Sequence, residues 1–342
     1  MIKKANNRID LALQGGGSHG AFTWGVIDRL LEDQSIDIAG VSGTSAGAMN
    51  GAVMASGFAI NGRDGAKEAL HNFWQSVSES AAHSPFKRTI IDKWLNRWTL
   101  DQSPIFQAAE LMGRIASPYD MPFDLGNPLK PVLEKAIDFD AIRKGPIKVF
   151  VTATNVRTGR GKVFRGDEIT ADALLASACL PTIFNSIVID GEAYWDGGYT
   201  GNPTLTPLIR ECDAQDTILV QINPIERNEI PTKSYDILSR LNEISFNSVL
   251  QKELRMMSLL RRATPEDDGE GGLWGRQRLH RISSDLMLEL GYSSKLNAEW
   301  DFLTMLHAEG RRCADEFLSS NRQHIGVMST FNIDELLGGV DT

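Results

Sequence analysis

The sequence predicts a three-layer α/β/α fold with a mostly parallel central sheet and a helical C-terminal extension. Three observations lead there. Short apolar runs suited to buried strands recur at 9–13, 36–41, 147–153 and 217–222, with stretches of helical periodicity between them. The first two runs are joined by a glycine loop and a helix, which makes a βαβ unit and calls for parallel strands covered by helices. The second run ends in another glycine turn and passes straight into a helix rich in Ala, Met and Val.

A chain of 342 residues, 42% apolar and 23% charged, can bury the core of one large α/β domain or two modest ones. The net charge of −9 argues against a general nucleic-acid binder, because phosphate contacts need a basic face. No window approaches the roughly 18 consecutive apolar residues of a membrane span. The N-terminus lacks the apolar stretch of a secretory signal. Cys179, Cys212 and Cys313 are odd in number and far apart, which fits reduced thiols of a cytosol better than disulfides or a metal site. The expected location is therefore cytoplasmic. No repeat or low-complexity tract is visible, and no metal or other cofactor is expected.

The first strand, 9–13, stops at Gln14 and is followed by Gly15-Gly16-Gly17-Ser18-His19-Gly20. Phe22, Val26, Ile27, Leu30 and Leu31 then show helical spacing over 21–31. Gly15, Gly17 and Gly20 satisfy the G-x-G-x-x-G fingerprint of dinucleotide sites, which sits between a strand and a helix as here. That reading needs an acidic residue ending the second strand to hold a ribose. Asp37 is nearly the right distance on, but it starts that strand, which ends in Ser42-Gly43. The other reading is an oxyanion site, since only glycine lets consecutive backbone N–H groups approach an anion so closely. A plain glycine turn would need neither. The next strand decides for the oxyanion, because it too ends in a glycine turn, and that turn bears a serine.

Gly43-Thr44-Ser45-Ala46-Gly47 is a G-x-S-x-G sequence between a strand and a helix over 46–56, the pattern of a nucleophile elbow. The tight turn exposes the Ser45 hydroxyl at a helix N-terminus, where free N–H groups and the helix dipole favour negative charge. Position speaks against an ordinary α/β-hydrolase. There the nucleophile follows the fifth strand, whereas Ser45 has one strand–helix unit ahead of it.

Residues 68–77 are patterned as a helix, with Leu70, Phe73, Trp74 and Val77 on one side. Over 86–98, Ile90, Ile91, Trp94, Leu95 and Trp98 form an apolar stripe edged by Lys93 and Arg97. Packing on the core is the commoner use of such a stripe; a lid or a peripheral contact with the inner membrane surface is the alternative. Pro104, Pro118, Pro122 and Pro128 mark a loop-rich stretch, and 80–126 is a candidate lid region. A helix follows over 127–137, then strands at 147–153 and 162–164 and a helix over 171–178. Strands at 187–189 and 193–195 flank the Asp190-Gly191 turn, with Asp196 closing the second.

Gly15 to Gly20, then Gly43 to Gly47, then Asp196-Gly197-Gly198 resemble the patatin-like phospholipase family in order and spacing. Ser177-Ala178-Cys179-Leu180-Pro181 and Asn202-Pro203 resemble the same family. The likeness covers about 9–225. It implies a lipid acyl hydrolase with a Ser–Asp dyad, a glycine-loop oxyanion hole and no metal. The family usually has Arg or Lys where this chain has His19.

A serine nucleophile needs a base to take its proton and return it to the leaving group. A carboxylate within direct reach can serve if a partly desolvated site raises its pKa. Asp196, among Tyr194, Trp195 and two glycines, has such surroundings, although an Asp-Gly-Gly turn can also be merely structural. His280 and His307 follow Asp196, so the chain order of a Ser…Asp…His triad is available. Neither has a distinctive local context, and the dyad is preferred.

The expected catalytic core is thus 8–225, followed by a mostly helical extension over 226–342 packed on it. In the extension, 235–262 and 294–318 read as helices and 278–283 as a late strand. The acidic, glycine-rich 264–272 reads as a mobile loop and 331–342 as an exposed tail. The expected activity is cleavage of carboxylic esters, chiefly of lipids. Ser45 is the nucleophile and Asp196 the base; the amides of Gly15, Gly16, Gly17 and Ala46 form the oxyanion hole. His19, Gly20, Gly43, Gly47, Gly197 and Gly198 support the motifs. A polyester or other ester hydrolase with the same dyad, a nucleotide-binding protein using Gly15 to Gly20, and an inactive binding module are the alternatives.

Overall fold

The computed structural model describes residues 7–82, 87–89, 92, 98–101, 103–108, 116–120, 127–232, 234–263 and 269–334. Among them, strands β1 (Asn7–Leu13), β2 (Ile36–Gly43), β3 (Lys148–Asn155), β4 (Gly161–Arg165), β5 (Ile187–Ile189), β6 (Glu192–Asp196), β7 (Asp216–Val220) and β8 (Arg278–Ile282) share one sheet. Its order is β5-β6-β3-β2-β1-β7-β8, with β4 also pairing β3. The β3–β2–β1–β7–β8 stretch is parallel; β4 and β6 each pair antiparallel with β3, and β5 pairs antiparallel with β6.

Alternation along the strands divides the core between two faces. Leu11, Leu13, Val149, Val151, Ile218 and Val220 join one buried cluster, with α1 (Gly20–Glu32), α2 (Ala46–Ala81) and α10 (Trp300–Asn321). Ala12, Phe150, Leu219 and Leu279 join a second, with α6 (Thr206–Glu211) and α7 (Ser234–Ala263). The remaining helices are α3 (Leu129–Ala136), α4 (Phe139–Lys144), α5 (Ala171–Ser177), α8 (Glu270–Gly275) and α9 (Leu286–Glu289). Helices on both faces of a largely parallel sheet make the predicted three layers.

Four readings change. The helix expected over 294–318 begins only at Trp300, beyond a short 3₁₀ turn at Tyr292–Leu296, and runs to Asn321. The helices expected over 46–56 and 68–77 run together in α2, across a kink at Asn61 and Gly62. Glu270 to Gly275 form α8 rather than part of a loop, and Trp274 is buried in the second core. The tail is not wholly exposed: Phe331 and Ile333 are buried beside Leu254 and Leu279. Phe331 also lies beneath the Arg281 guanidinium. Of the expected acidic loop, 264–268 lie outside the described residues, as do 335–342 of the tail.

Candidate active site

Strand β2 delivers Ser45 two residues beyond its end. There the backbone turns to φ 54° and ψ −124° before α2 begins at Ala46. A positive φ on a non-glycine residue costs on the order of 1–3 kcal/mol and marks a turn held by its surroundings. Those surroundings are specific. The Ser45 N–H donates to Ser177 Oγ at 2.8 Å, and Ser177 Oγ donates to the Thr152 carbonyl at 2.6 Å. Thr44 Oγ1 donates to the Gly201 carbonyl at 2.6 Å. Gly43 and Gly47 meet inside the turn, and a Cβ on Gly47 would run into the Leu13 carbonyl. The hydroxyl therefore stands over the first turn of α2, at the positive end of its dipole.

Register explains how Asp196 arrives beside it. Gly43, the last residue of β2, pairs with Val151 of β3. Ala153, two residues further along β3, pairs with Asp196 of β6. Since β4 holds the other edge of β3 over 150–154, β6 occupies the same edge as β2 and continues where β2 stops. Two residues of strand are about 7 Å. Ser45 and Asp196, 151 positions apart in sequence, are thus neighbours, close enough for the serine side chain to favour the charged form of the carboxyl. Asp196 is 3% exposed. Burial pushes its pKa up to about 7, against the opposing effects of the Gly198 N–H, at 2.7 Å, the Ser45 hydroxyl and the Lys295 charge. Gly197 packs against the Thr152 carbonyl and Gly198 against the Phe246 ring.

The glycine loop passes over this pair. A Cβ on Gly15 would lie 2.6 Å from the Thr44 carbonyl oxygen and 2.8 Å from Ser45 Cβ, so the two glycine turns interlock. The Gly15 amide donates to Asn202 Oδ1 at 2.6 Å and is therefore spoken for, which removes it from the expected oxyanion donors. Among the described residues the amides of Gly16, Gly17 and Ala46 meet no acceptor in the chain. Gln14, which sequence reasoning passed over, anchors the loop. Its Oε1 accepts from the Ile222 and Asn223 amides at 3.0 and 2.9 Å, and its Nε2 donates to Asn247 Oδ1 at 3.1 Å. Asn223 Nδ2 donates to the Gly15 carbonyl at 2.7 Å. A buried amide directly after an apolar strand was the available signal. Gly17 has φ +59°, and a Cβ there would collide with the Lys295 carbonyl. Gly17→Ala should lower ester turnover at least about 100-fold and destabilise by roughly 1–3 kcal/mol. Steady-state kinetics and thermal melting check this.

His19 does not supply a charge. It is 2% exposed, and burial, with Lys295 and Arg227 nearby, holds its pKa well below the usual imidazole value. Ser294 Oγ donates to the Gly291 carbonyl at 2.6 Å, so His19 Nε2 carries the hydrogen in its 2.7 Å bond to Ser294 Oγ. Gly20 presses on Ala46, and its carbonyl accepts from Asn50 Nδ2 at 2.9 Å. Asn50 Oδ1 also accepts the Trp74 indole N–H at 3.0 Å, tying the two halves of α2 together.

Neither later histidine is bonded to Ser45 or Asp196. His280 is fully buried on β8, with Nε2 at 3.0 Å from Asp216 Oδ1 and Nδ1 at 2.8 Å from Thr330 Oγ1. Burial alone would raise the Asp216 pKa; bonds from His280 and Arg278 outweigh it and hold it at about 2. His280→Ala should cost about 3 kcal/mol of stability while leaving kcat within a few-fold, read by chemical denaturation and ester turnover. His307 stacks on Trp24, with ring centroids 3.9 Å apart, and contacts Asp28. Asp37 pairs with Arg8 at the opposite end of β2 from the glycine loop and bonds Arg63, away from any ribose on that loop.

Ile90, Ile91, Lys93, Trp94, Leu95 and Arg97 of the apolar stripe lie outside the described residues, as does Pro122. Trp98 stacks on Phe302 at 5.2 Å under the Arg88 guanidinium, a packing role. None of the three cysteines is in a disulfide. Among the described residues no three His, Cys, Asp or Glu side chains group as metal ligands, and no helix is long and apolar enough to cross a membrane.

A family model described as patatin-like phospholipase matches residues 11–209. Uncharacterized NTE family proteins of Mycobacterium bovis and Mycobacterium tuberculosis are 30% identical over 238 residues, which is 68% of this chain and 55% of each relative. The chain thus spans about half the length of the curated relatives it matches. Among solved structures, VipD from Legionella pneumophila aligns with 90% of this chain and 67% of its own, at 15% identity and a TM-score of 0.36.

Proposed function

Because the chain belongs to the patatin-like phospholipase family, matched over more than half its length, we propose that it is a serine acyl hydrolase of lipid esters acting through Ser45 and Asp196. The observation that supports this most is the strand register that sets Ser45 beside a buried carboxyl whose pKa is pushed up to about 7. A base poised near the working pH both accepts and returns a proton efficiently.

In the first half-reaction the Asp196 carboxylate takes the hydroxyl proton as Ser45 Oγ bonds to the ester carbonyl carbon. The amides of Gly16, Gly17 and Ala46 receive the oxyanion. When the tetrahedral adduct collapses, the carbon–oxygen bond to the alcohol breaks and protonated Asp196 hands its proton to the departing oxygen. In the second, Asp196 deprotonates a water that attacks the acyl-enzyme. The fatty acid leaves, and Ser45 recovers its hydrogen.

An acyl chain needs an apolar approach. Ile237, Leu238, Leu241 and Ile244 are exposed on α7, leading to Phe246, whose ring lies against Gly198. That favours lipid over small hydrophilic esters. A direct test incubates the protein with p-nitrophenyl esters of rising chain length and with a panel of phospholipids, glycerides and polyesters. Turnover that rises with chain length, and fluorophosphonate labelling confined to Ser45, is expected. No turnover together with nucleotide binding would overturn the reading.

A further inference from the structure

The catalytic pair and the glycine loop all lie within the span matched by the family, but one charged group beside them does not. Lys295 sits in the short 3₁₀ turn Tyr292–Leu296 of the C-terminal extension. Its carbonyl oxygen packs against Gly17, and its neighbour Ser294 holds His19. Its ammonium donates to Asn223 Oδ1 at 2.8 Å, while Nδ2 of the same Asn223 donates to the Gly15 carbonyl. One side chain and one carbonyl thus grip the loop from both ends.

We propose that Lys295 is the fixed cation of this active site: it positions the oxyanion loop through Asn223 and sets its positive charge against the oxyanion and the Asp196 carboxylate. The inference rests on the acyl-hydrolase reading above and adds the extension to the working parts of the site.

The charges around Lys295 allow this role. Glu243 and Arg227 face it from α7 and the segment after β7, but they are bonded to each other at 2.6–3.2 Å, so most of their fields cancel. His19 is neutral, and the Tyr292 ring lies 5.8 Å from Nζ. Asp196 is the remaining partner, and each shifts the other toward its charged form. Among the described residues no carboxylate comes within ion-pair distance of Nζ, so the charge is not spent locally. Burial holds the ammonium near pKa 8, against the pull of Glu243 and Asp196. Charge developing in a water-poor site is stabilised far more by such a group than it would be in water.

The test compares Lys295→Met and Lys295→Arg with the wild type, using a neutral soluble ester, pH–rate profiles, fluorophosphonate labelling rates and melting temperatures. Lys295→Met should lose on the order of 10- to 100-fold in kcat with KM little changed. Its acid limb should move to higher pH, because Asp196 loses a stabilising cation. Its fall in rate near pH 8 should disappear, since no ammonium is left to titrate. Lys295→Arg should recover much of the rate and show no fall near pH 8, because arginine keeps its proton there. Wild-type rates in Lys295→Met with the alkaline fall retained would overturn the inference. So would equal losses in both variants with unchanged limbs, which would make Lys295 only a structural clasp. In either case Ser45 would still be labelled in the wild type. If it is not, the hydrolase reading itself fails and takes this inference with it.

Discussion

Ser45→Ala is expected to lower kcat/KM for lipid and p-nitrophenyl esters by at least about ten-thousand-fold, to the background set by binding and the oxyanion amides. The fold should survive. The hydroxyl makes no contact that packing needs, and the amide bond to Ser177 Oγ belongs to the backbone. Alanine at φ 54° is no more strained than serine. The variant should therefore melt within a degree or two of the wild type, remain unlabelled by fluorophosphonate and still bind substrate lipid. Measurable turnover in this variant, above that of protein-free buffer, would remove Ser45 from the chemistry.

Asp196→Asn should cost a comparable factor in kcat, since an amide cannot accept the serine proton. Its effect on stability should run the other way. The folded-state pKa of Asp196, about 7, is above the ordinary carboxyl value of 3.8. A group raised in this manner contributes most to stability below pH 4, and the contribution is lost as pH rises through 7. At pH 8 the wild type holds an ionised carboxylate in a buried setting, which the asparagine variant avoids. The variant should be the more stable by on the order of 3 kcal/mol at pH 8, with the gap closing toward pH 4. Denaturant titrations at several pH values measure it directly. The wild-type rate should likewise fall below pH 7 as Asp196 takes up its proton. An inactive variant with no pH-dependent gain would mean that the folded-state pKa of Asp196 is not raised above its ordinary value.

Much of this was legible in the residues because the central strands are apolar on both faces, as strands between two helix layers must be. Ser45 and the two glycine turns stand out for a related reason: few sequences other than tight βα turns place glycine so densely. The misreadings have physical causes. Asn61-Gly62 looks like a helix end, yet the kink there lets α2 resume in nearly continuous packing. Helices α4 and α6, six residues each, are too short to display a period; the Asp138 side chain capping Ala141 was the better clue. Phe331 and Ile333 are two apolar residues in a polar tail, and only the groove beside Leu254 and Leu279 makes them core. Lys295 was invisible for a different reason. It lies 250 positions from Ser45, in no motif, and only tertiary packing against Gly17 gives it meaning.

Strand β3 works as a ruler for the chemistry. One of its edges is shared end to end by β2, which carries Ser45, the proposed nucleophile, and β6, which carries Asp196, the proposed base. The gap between the two reacting groups is thereby measured out in peptide units along a buried strand, not in the reach of flexible loops. Evolution can lengthen or shorten the connections that lead from Ser45 to β3 and from β3 to β6, because their length never enters the measurement. It cannot add or delete one residue between Val151 and Ala153 without turning the base to the wrong face of the sheet.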